Sequence, residues 1–144
     1  MNPQAIFGPV YATMLLTLAV WIYMYVRRIA FITGSGLRPE QLAIPGELAR
    51  RSPAAVSNPS DNLKNLFEIP VLFYALAIVL YVTQRVDAIA VTAGWVFFTF
   101  RALHSLVHCT FNRVMLRFCL YLVSTVAVWF MLIRAVLAYA DSSS

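Results

Sequence analysis

From Ala5 to Val26 the chain runs without a charged side chain, and three more apolar runs follow, at about Leu66 to Val82, Ile89 to His108 and Leu116 to Tyr139. No other feature limits the fold as much. A hydrocarbon core of about 30 Å is crossed by about 20 apolar helical residues. Lipid offers backbone amides no hydrogen-bond partner, so only helices or closed barrels span it. Barrel strands alternate polar and apolar residues, and these runs do not. The sequence therefore predicts an all-α integral membrane four-helix bundle, with helices at 5–26, 66–82, 89–108 and 116–139. Composition agrees: 61% of residues are hydrophobic, 12% are charged, and the mean hydropathy is +0.76. Soluble domains hold about 45–50% apolar and about 25% charged residues.

The 144 residues suit a single membrane domain, 1–144. Only "TQRVDA" separates the second run from the third, which predicts a tight helical hairpin. Arg27 and Arg28 follow the first apolar run, whereas a cleaved signal peptide has its basic residues in front, so the first helix reads as retained. Residues 27–64 hold "TGSG" and prolines 39, 45, 53 and 59, the signature of an irregular loop.

That loop carries Arg27, Arg28, Arg38, Arg50, Arg51 and Lys64, and the last connection adds Arg113 and Arg117. The hairpin turn on the other side has only Arg85. Eight of the eleven basic residues thus fall on one side. Positive-inside bias makes that side cytoplasmic and places both termini outside. Topology then accounts for most of the net charge of +5 without a nucleic-acid partner. Cys109 and Cys119 form no C-x-x-C pair and lie on the reducing side, so no structural disulfide is expected.

Inside these apolar runs the polar residues are expensive, at roughly 2.5–3.5 kcal/mol each near the bilayer centre. In "RALHSLVH", Arg101, His104, Ser105 and His108 fall at i, i+3, i+4 and i+7, one face of a helix. Asp61, Asn65 and Glu68 lead into the second helix at i, i+4 and i+7. Arg113, Arg117, Tyr121 and Ser124 open the fourth with similar spacing. The second and fourth helices start at the inner surface and the third ends there, so all three stripes meet at one depth. Polar residues in membrane helices face the bundle interior or a wet cavity.

Simpler roles exist for each member. Glu68 and Arg101 can neutralise one another and pin two helices, and Arg113 and Arg117 can snorkel to lipid phosphates. His104 alone can be a hydrogen-bonded packing residue. His104 and His108 also have metal-ligand spacing, but the nearby arginines repel a cation, and no metal is expected.

At these residues the chain resembles the membrane-associated proteins in eicosanoid and glutathione metabolism, the MAPEG family. Its members include microsomal glutathione transferases, leukotriene C synthase and microsomal prostaglandin E synthase. "NLFEIP" supplies the Asn65, Glu68 and Pro70 of its second-helix motif. "RALHSLVH" supplies Arg101, His104 and Ser105 of the third-helix motif in the prostaglandin synthase branch, with His108 at that branch's tyrosine position. "RFCLY" supplies Arg117 and Tyr121, with Phe118 where the synthase has a serine. Arg27 and Arg28 are the two positions open to the family's first-helix arginine.

The resemblance implies a homotrimer, with glutathione as co-substrate held between neighbouring subunits. It also implies a membrane-bound transferase or peroxidase acting on an apolar electrophile or a lipid hydroperoxide. The departures at His108 and Phe118 speak against prostaglandin isomerisation. They also keep open a non-catalytic member that binds a lipid or partner protein; a metal- or quinone-binding subunit is a more distant alternative.

The chemistry of the matched residues suits glutathione, which carries two carboxylates, an amine and a thiol. Arg101 and Arg113 are carboxylate partners, and Glu68 is a partner for the amine. Asn65, His104, His108 and Tyr121 complete the binding set. Arg117 is the catalytic candidate, because a guanidinium beside the sulfur favours the reactive thiolate.

Overall fold

The fold is given by a computed structural model that describes residues 2–44 and 46–143. A 3-10 turn, Pro3–Ile6, leads into α1 (Phe7–Ser35). A second such turn, Pro39–Leu42, and the short α2 (Glu47–Arg51) follow. Then come α3 (Ala54–Asn65), α4 (Ile69–Val82), α5 (Ala88–Cys109) and α6 (Val114–Ser143). Among the described residues there is no strand. Among the described residues four stretches are long and apolar enough to cross a membrane: Pro3–Ser35, Ala54–Val82, Ala88–Cys109 and Val114–Asp141. The fold is an all-helical membrane bundle, as the apolar runs required.

The boundaries differ from the sequence reading, and each difference has a cause. The first helix does not stop at Val26 but continues to Ser35. Arg27 and Arg28 end the charge-free run, yet arginine is a good helix former, so the run ends there and the helix does not. The turn comes at Gly36, whose φ of 65° is the left-handed conformation that glycine adopts freely.

The expected loop 27–64 is also largely helical. Its prolines mislead because they sit where helices start. Pro39 lies in the first turn of its 3-10 segment, and Pro53 precedes α3, positions where a missing N–H costs nothing. Pro45 lies outside the described residues. Pro59 lies inside α3 and leaves the carbonyl of Ala55, four residues back, without its amide. Arg27 Nε donates to that carbonyl at 3.3 Å, and Arg28 donates to Ser60 Oγ at 3.0 Å. The far end of α1 is thereby fastened to α3.

The second membrane helix begins later than Leu66. α3 ends at Asn65, residues 66–68 form a turn closed by Phe67 N to Lys64 O, and α4 starts at Ile69 with Pro70 in its first turn. At the other end of the bundle the hairpin is tight, as expected. Asp87 caps α5 through Ala90 N at 2.7 Å and pairs with Arg134 of α6 at 2.6 Å.

Side-chain placement differs from that of a soluble protein, with many large apolar side chains outside and several polar ones inside. Tyr11, Leu15, Leu18, Val79, Val126 and Ile133 are exposed, while Arg101, His104, His108, Asn62 and Ser105 are buried. In lipid there is no hydrophobic drive to bring helices together, so close packing does it. Phe73 and Phe97 meet with ring centroids 4.6 Å apart in a core that includes Ala77, Ala90 and Ala93. Gly94 brings α5 against α1 so closely that a Cβ there would lie 2.9 Å from Pro9 Cγ.

Candidate functional site

The helical spacing of "RALHSLVH" turns one face of α5 inward, and Arg101, His104, Ser105 and His108 are all at most 3% exposed. Arg101 is the most unusual of them. It has no exposure at all, and none of its three guanidinium nitrogens has a hydrogen-bond partner among the described residues. Its Cζ lies 4.7 Å from the Tyr121 ring centroid and 5.6 Å from that of Phe97. Such cation–π contacts contribute roughly 0.5–2 kcal/mol each, while burying an ion costs several kcal/mol even after relaxation. Three buried guanidinium donors that make no hydrogen bond among the described residues could take an anion.

His104 stands one turn further along α5. Its Nδ1 lies 2.9 Å from the backbone carbonyl oxygen of Arg117. A carbonyl only accepts, so Nδ1 carries the proton and Nε2 keeps its lone pair. That Nε2 is buried and unpartnered, as is Nδ1 of His108. The two imidazoles are nearly perpendicular, at 86° with centroids 5.6 Å apart, and the Tyr121 ring is 5.7 Å from that of His104.

Arg117, half-buried in the first turns of α6, donates from Nη1 to Asn112 Oδ1 at 2.7 Å. Asn112 in turn donates from Nδ2 to Asn58 Oδ1 at 3.2 Å. α3 also contributes Asn62, fully buried, which accepts from Ser105 Oγ at 3.3 Å and donates to Cys109 Sγ at 3.5 Å.

The structure thus brings together Arg101, His104, His108 and Tyr121, with the Arg117 carbonyl bound to His104. The expected second stripe borders this cluster without hydrogen-bonding to it, with Asp61 near enough to His108 and Glu68 near enough to Arg101 to act on them electrostatically. Asp61 is exposed and paired with Lys64 at 2.9 Å, Asn65 is half-buried at the last residue of α3, and Glu68 is exposed in the turn. Among the described residues no hydrogen bond or ion pair joins Glu68 to Arg101, although Glu68 is near enough to interact with that charge electrostatically. Arg113 is exposed just before α6. Asn58, Asn62 and Asn112 were not singled out from the sequence, although Asn58, Asn62 and Asn65 share the i, i+4, i+7 spacing that marks one face. No three His, Cys, Asp or Glu side chains gather as metal ligands among the described residues.

A family model described as "MAPEG family" matches residues 6–137, nearly the whole chain and all of the polar cluster. No curated protein and no solved structure matches the chain. The chain belongs to the MAPEG family.

Proposed function

We propose that the protein binds glutathione at the Arg101 cluster and uses it as co-substrate against an apolar electrophile or a lipid hydroperoxide. One observation carries the reading: Arg101 is fully buried and, among the described residues, no hydrogen bond meets its three guanidinium nitrogens, with Tyr121 and Glu68 as its polar neighbours. A carboxylate reaching that guanidinium forms paired, charge-assisted hydrogen bonds and offsets the cost of the buried charge. Family membership supports glutathione as the source of the carboxylate.

Bound glutathione supplies a thiol whose reactive form is the thiolate. The chain's residues bind and orient it. Arg101 takes a carboxylate between the Tyr121 and Phe97 rings, and the imidazoles of His104 and His108 offer free ring nitrogens beside it. Arg117 stabilises the thiolate; each pKa unit by which it lowers the thiol corresponds to about 1.4 kcal/mol. Asn65, Glu68 and Arg113 belong to the rim, with Glu68 receiving the amine. In a homotrimer that holds the ligand between subunits, the exposed Glu68 and Arg113 of one copy are open to the ligand of the next.

The basic residues support an orientation with both termini outside and residues 27–64 in the cytoplasm, in the plasma membrane if the host is bacterial. Labelling Ala54→Cys and Ala140→Cys in a background lacking Cys109 and Cys119 tests this. Reaction of position 54 from outside intact cells rules the orientation out.

Phe118 favours a second reading. It is exposed at the position of a serine in the prostaglandin synthase branch, which suits a non-catalytic member that binds a lipid or partner protein. Calorimetry of the detergent-solubilised protein with glutathione, followed by conjugation and hydroperoxide-consumption assays, separates the two. Binding with turnover supports the first reading, and binding without turnover the second. Absence of binding overturns the glutathione site.

A further inference from the structure

We propose that Asn112, in the turn between α5 and α6, is a positioning residue for the Arg117 guanidinium, and that Asn58 of α3 holds Asn112 in place. The proposal rests on the glutathione reading, in which Arg117 stabilises the thiolate.

An arginine near a membrane surface has a long flexible stem and swings toward lipid phosphates unless something holds it. Here both ends of Arg117 are held. Its backbone carbonyl accepts from His104 Nδ1 at 2.9 Å, and its Nη1 donates to Asn112 Oδ1 at 2.7 Å. A guanidinium has only donors, so the Asn112 amide must turn its oxygen toward Arg117. Its NH2 group is then directed to Asn58 Oδ1, at 3.2 Å. The polarity of the chain from Asn58 to Arg117 is fixed by chemistry.

The backbone selects the residue as well. Asn112 has a φ of 46°, in the left-handed region that asparagine and glycine tolerate better than other residues. Its N–H closes the end of α5 on Val107 O at 2.8 Å. The acceptor for Arg117 is thus mounted on the end of the helix that carries His104 and Arg101. Asparagine is the residue that offers this backbone an acceptor without a charge. A carboxylate would hold the guanidinium equally well but would neutralise it, and a neutralised guanidinium no longer favours a thiolate. The neutral amide orients the cation and leaves its field for the ligand.

The test uses the purified full chain in detergent and three variants, Asn112→Gly, Asn112→Asp and Arg117→Ala. Thermal stability, glutathione affinity, turnover and the ultraviolet titration of bound thiolate are read in each. Asn112→Gly keeps the backbone conformation and the bond to Val107 while removing the acceptor. We expect its melting temperature and glutathione affinity to stay near wild type. Its thiol titration should move up by about half to one pH unit and turnover should fall about three- to tenfold. Asn112→Asp keeps an acceptor and should raise the thiol titration at least as far, by pairing with Arg117. A merely structural asparagine would move the melting temperature and leave the thiol titration alone.

If both Asn112 variants titrate and turn over like wild type while Arg117→Ala loses the thiolate, the positioning role is wrong and the glutathione reading stands. If Arg117→Ala also changes nothing, the thiolate role of Arg117 fails and takes this proposal with it; if wild type binds no glutathione, the glutathione reading fails as well.

Discussion

The imidazole of His104 donates from Nδ1 to the backbone carbonyl of Arg117 at 2.9 Å, tying the middle of the α5 polar stripe to the start of α6. This one bond fixes the tautomer of a buried histidine and leaves the lone pair of Nε2 unpartnered. It also connects two residues whose sequence motifs lie on different helices. The polar cluster is therefore one connected structure, running from Asn58 through Asn112 and Arg117 to His104.

Replacing His104 tests that connection. His104→Phe fills the space but removes the donor to the Arg117 carbonyl and should cost about 1–3 kcal/mol of stability. His104→Gln, which keeps a donor at similar reach, should recover part of it. Thermal denaturation in detergent measures the difference. Equal melting temperatures for the two variants would show that the bond contributes nothing.

Arg101 gives the opposite expectation. With no hydrogen bond to its three nitrogens among the described residues, it should stabilise the free protein poorly. Arg101→Met should leave the ligand-free melting temperature unchanged or raise it, by up to roughly 1–4 kcal/mol in stability. The same change should abolish the rise in melting temperature that glutathione gives wild type, because ligand stabilisation follows occupancy. A ligand-free variant several degrees less stable than wild type would contradict the anion-site reading.

Close packing at Gly94 can be probed directly. A Cβ there would lie 2.9 Å from Pro9 Cγ and 3.4 Å from the Phe73 ring, and a proline ring on α1 cannot swing aside. Gly94→Ala should destabilise the bundle by about 1–3 kcal/mol, despite alanine's better helix propensity. Gly34→Ala, with nothing within 4 Å of the added carbon, is the control and should be neutral or stabilising. Similar behaviour of the two variants would refute the close approach.

How far the sequence reached depended on whether one helix or several set the answer. The α5 stripe was legible because Arg101, His104, Ser105 and His108 sit on one unbroken helix, where spacing alone fixes the face. The α3 stripe was not. Asp61, Asn65 and Glu68 have the spacing of one face, but the chain leaves the helix after Asn65, so angular phase does not carry over to Glu68. Within α3 the inward face belongs to Asn62, and Asp61 beside it reaches Lys64 at the surface. Residues 27–64 look irregular because proline breaks helices, yet Pro39 and Pro53 stand at helix starts, where it does not. Asn112 carried no periodic signal, since its role arises in a turn where only tertiary contact brings Arg117 and Asn58 together.

Asp87 gives a pH-dependent prediction at the other end of the bundle. The Arg134 guanidinium, bonded to it at 2.6 Å, holds its carboxyl below the usual value of 3.8, and the bond to Ala90 N acts in the same direction. A carboxyl depressed in the folded state is stabilising above its unfolded pKa, and the contribution disappears as pH falls through the lower folded value. The side chains of Arg134 and Asp87 are 36% and 46% exposed, so solvent screening keeps the pair under about 1 kcal/mol. Asp87→Asn keeps an N-cap acceptor for Ala90 and removes only the ion pair. Wild type should therefore melt slightly higher than Asp87→Asn above about pH 5, with the gap narrowing as pH falls below about 4. Added salt should narrow it at neutral pH as well. A gap that widens toward acid would mean that the bond to Arg134 is not what sets the charge of Asp87.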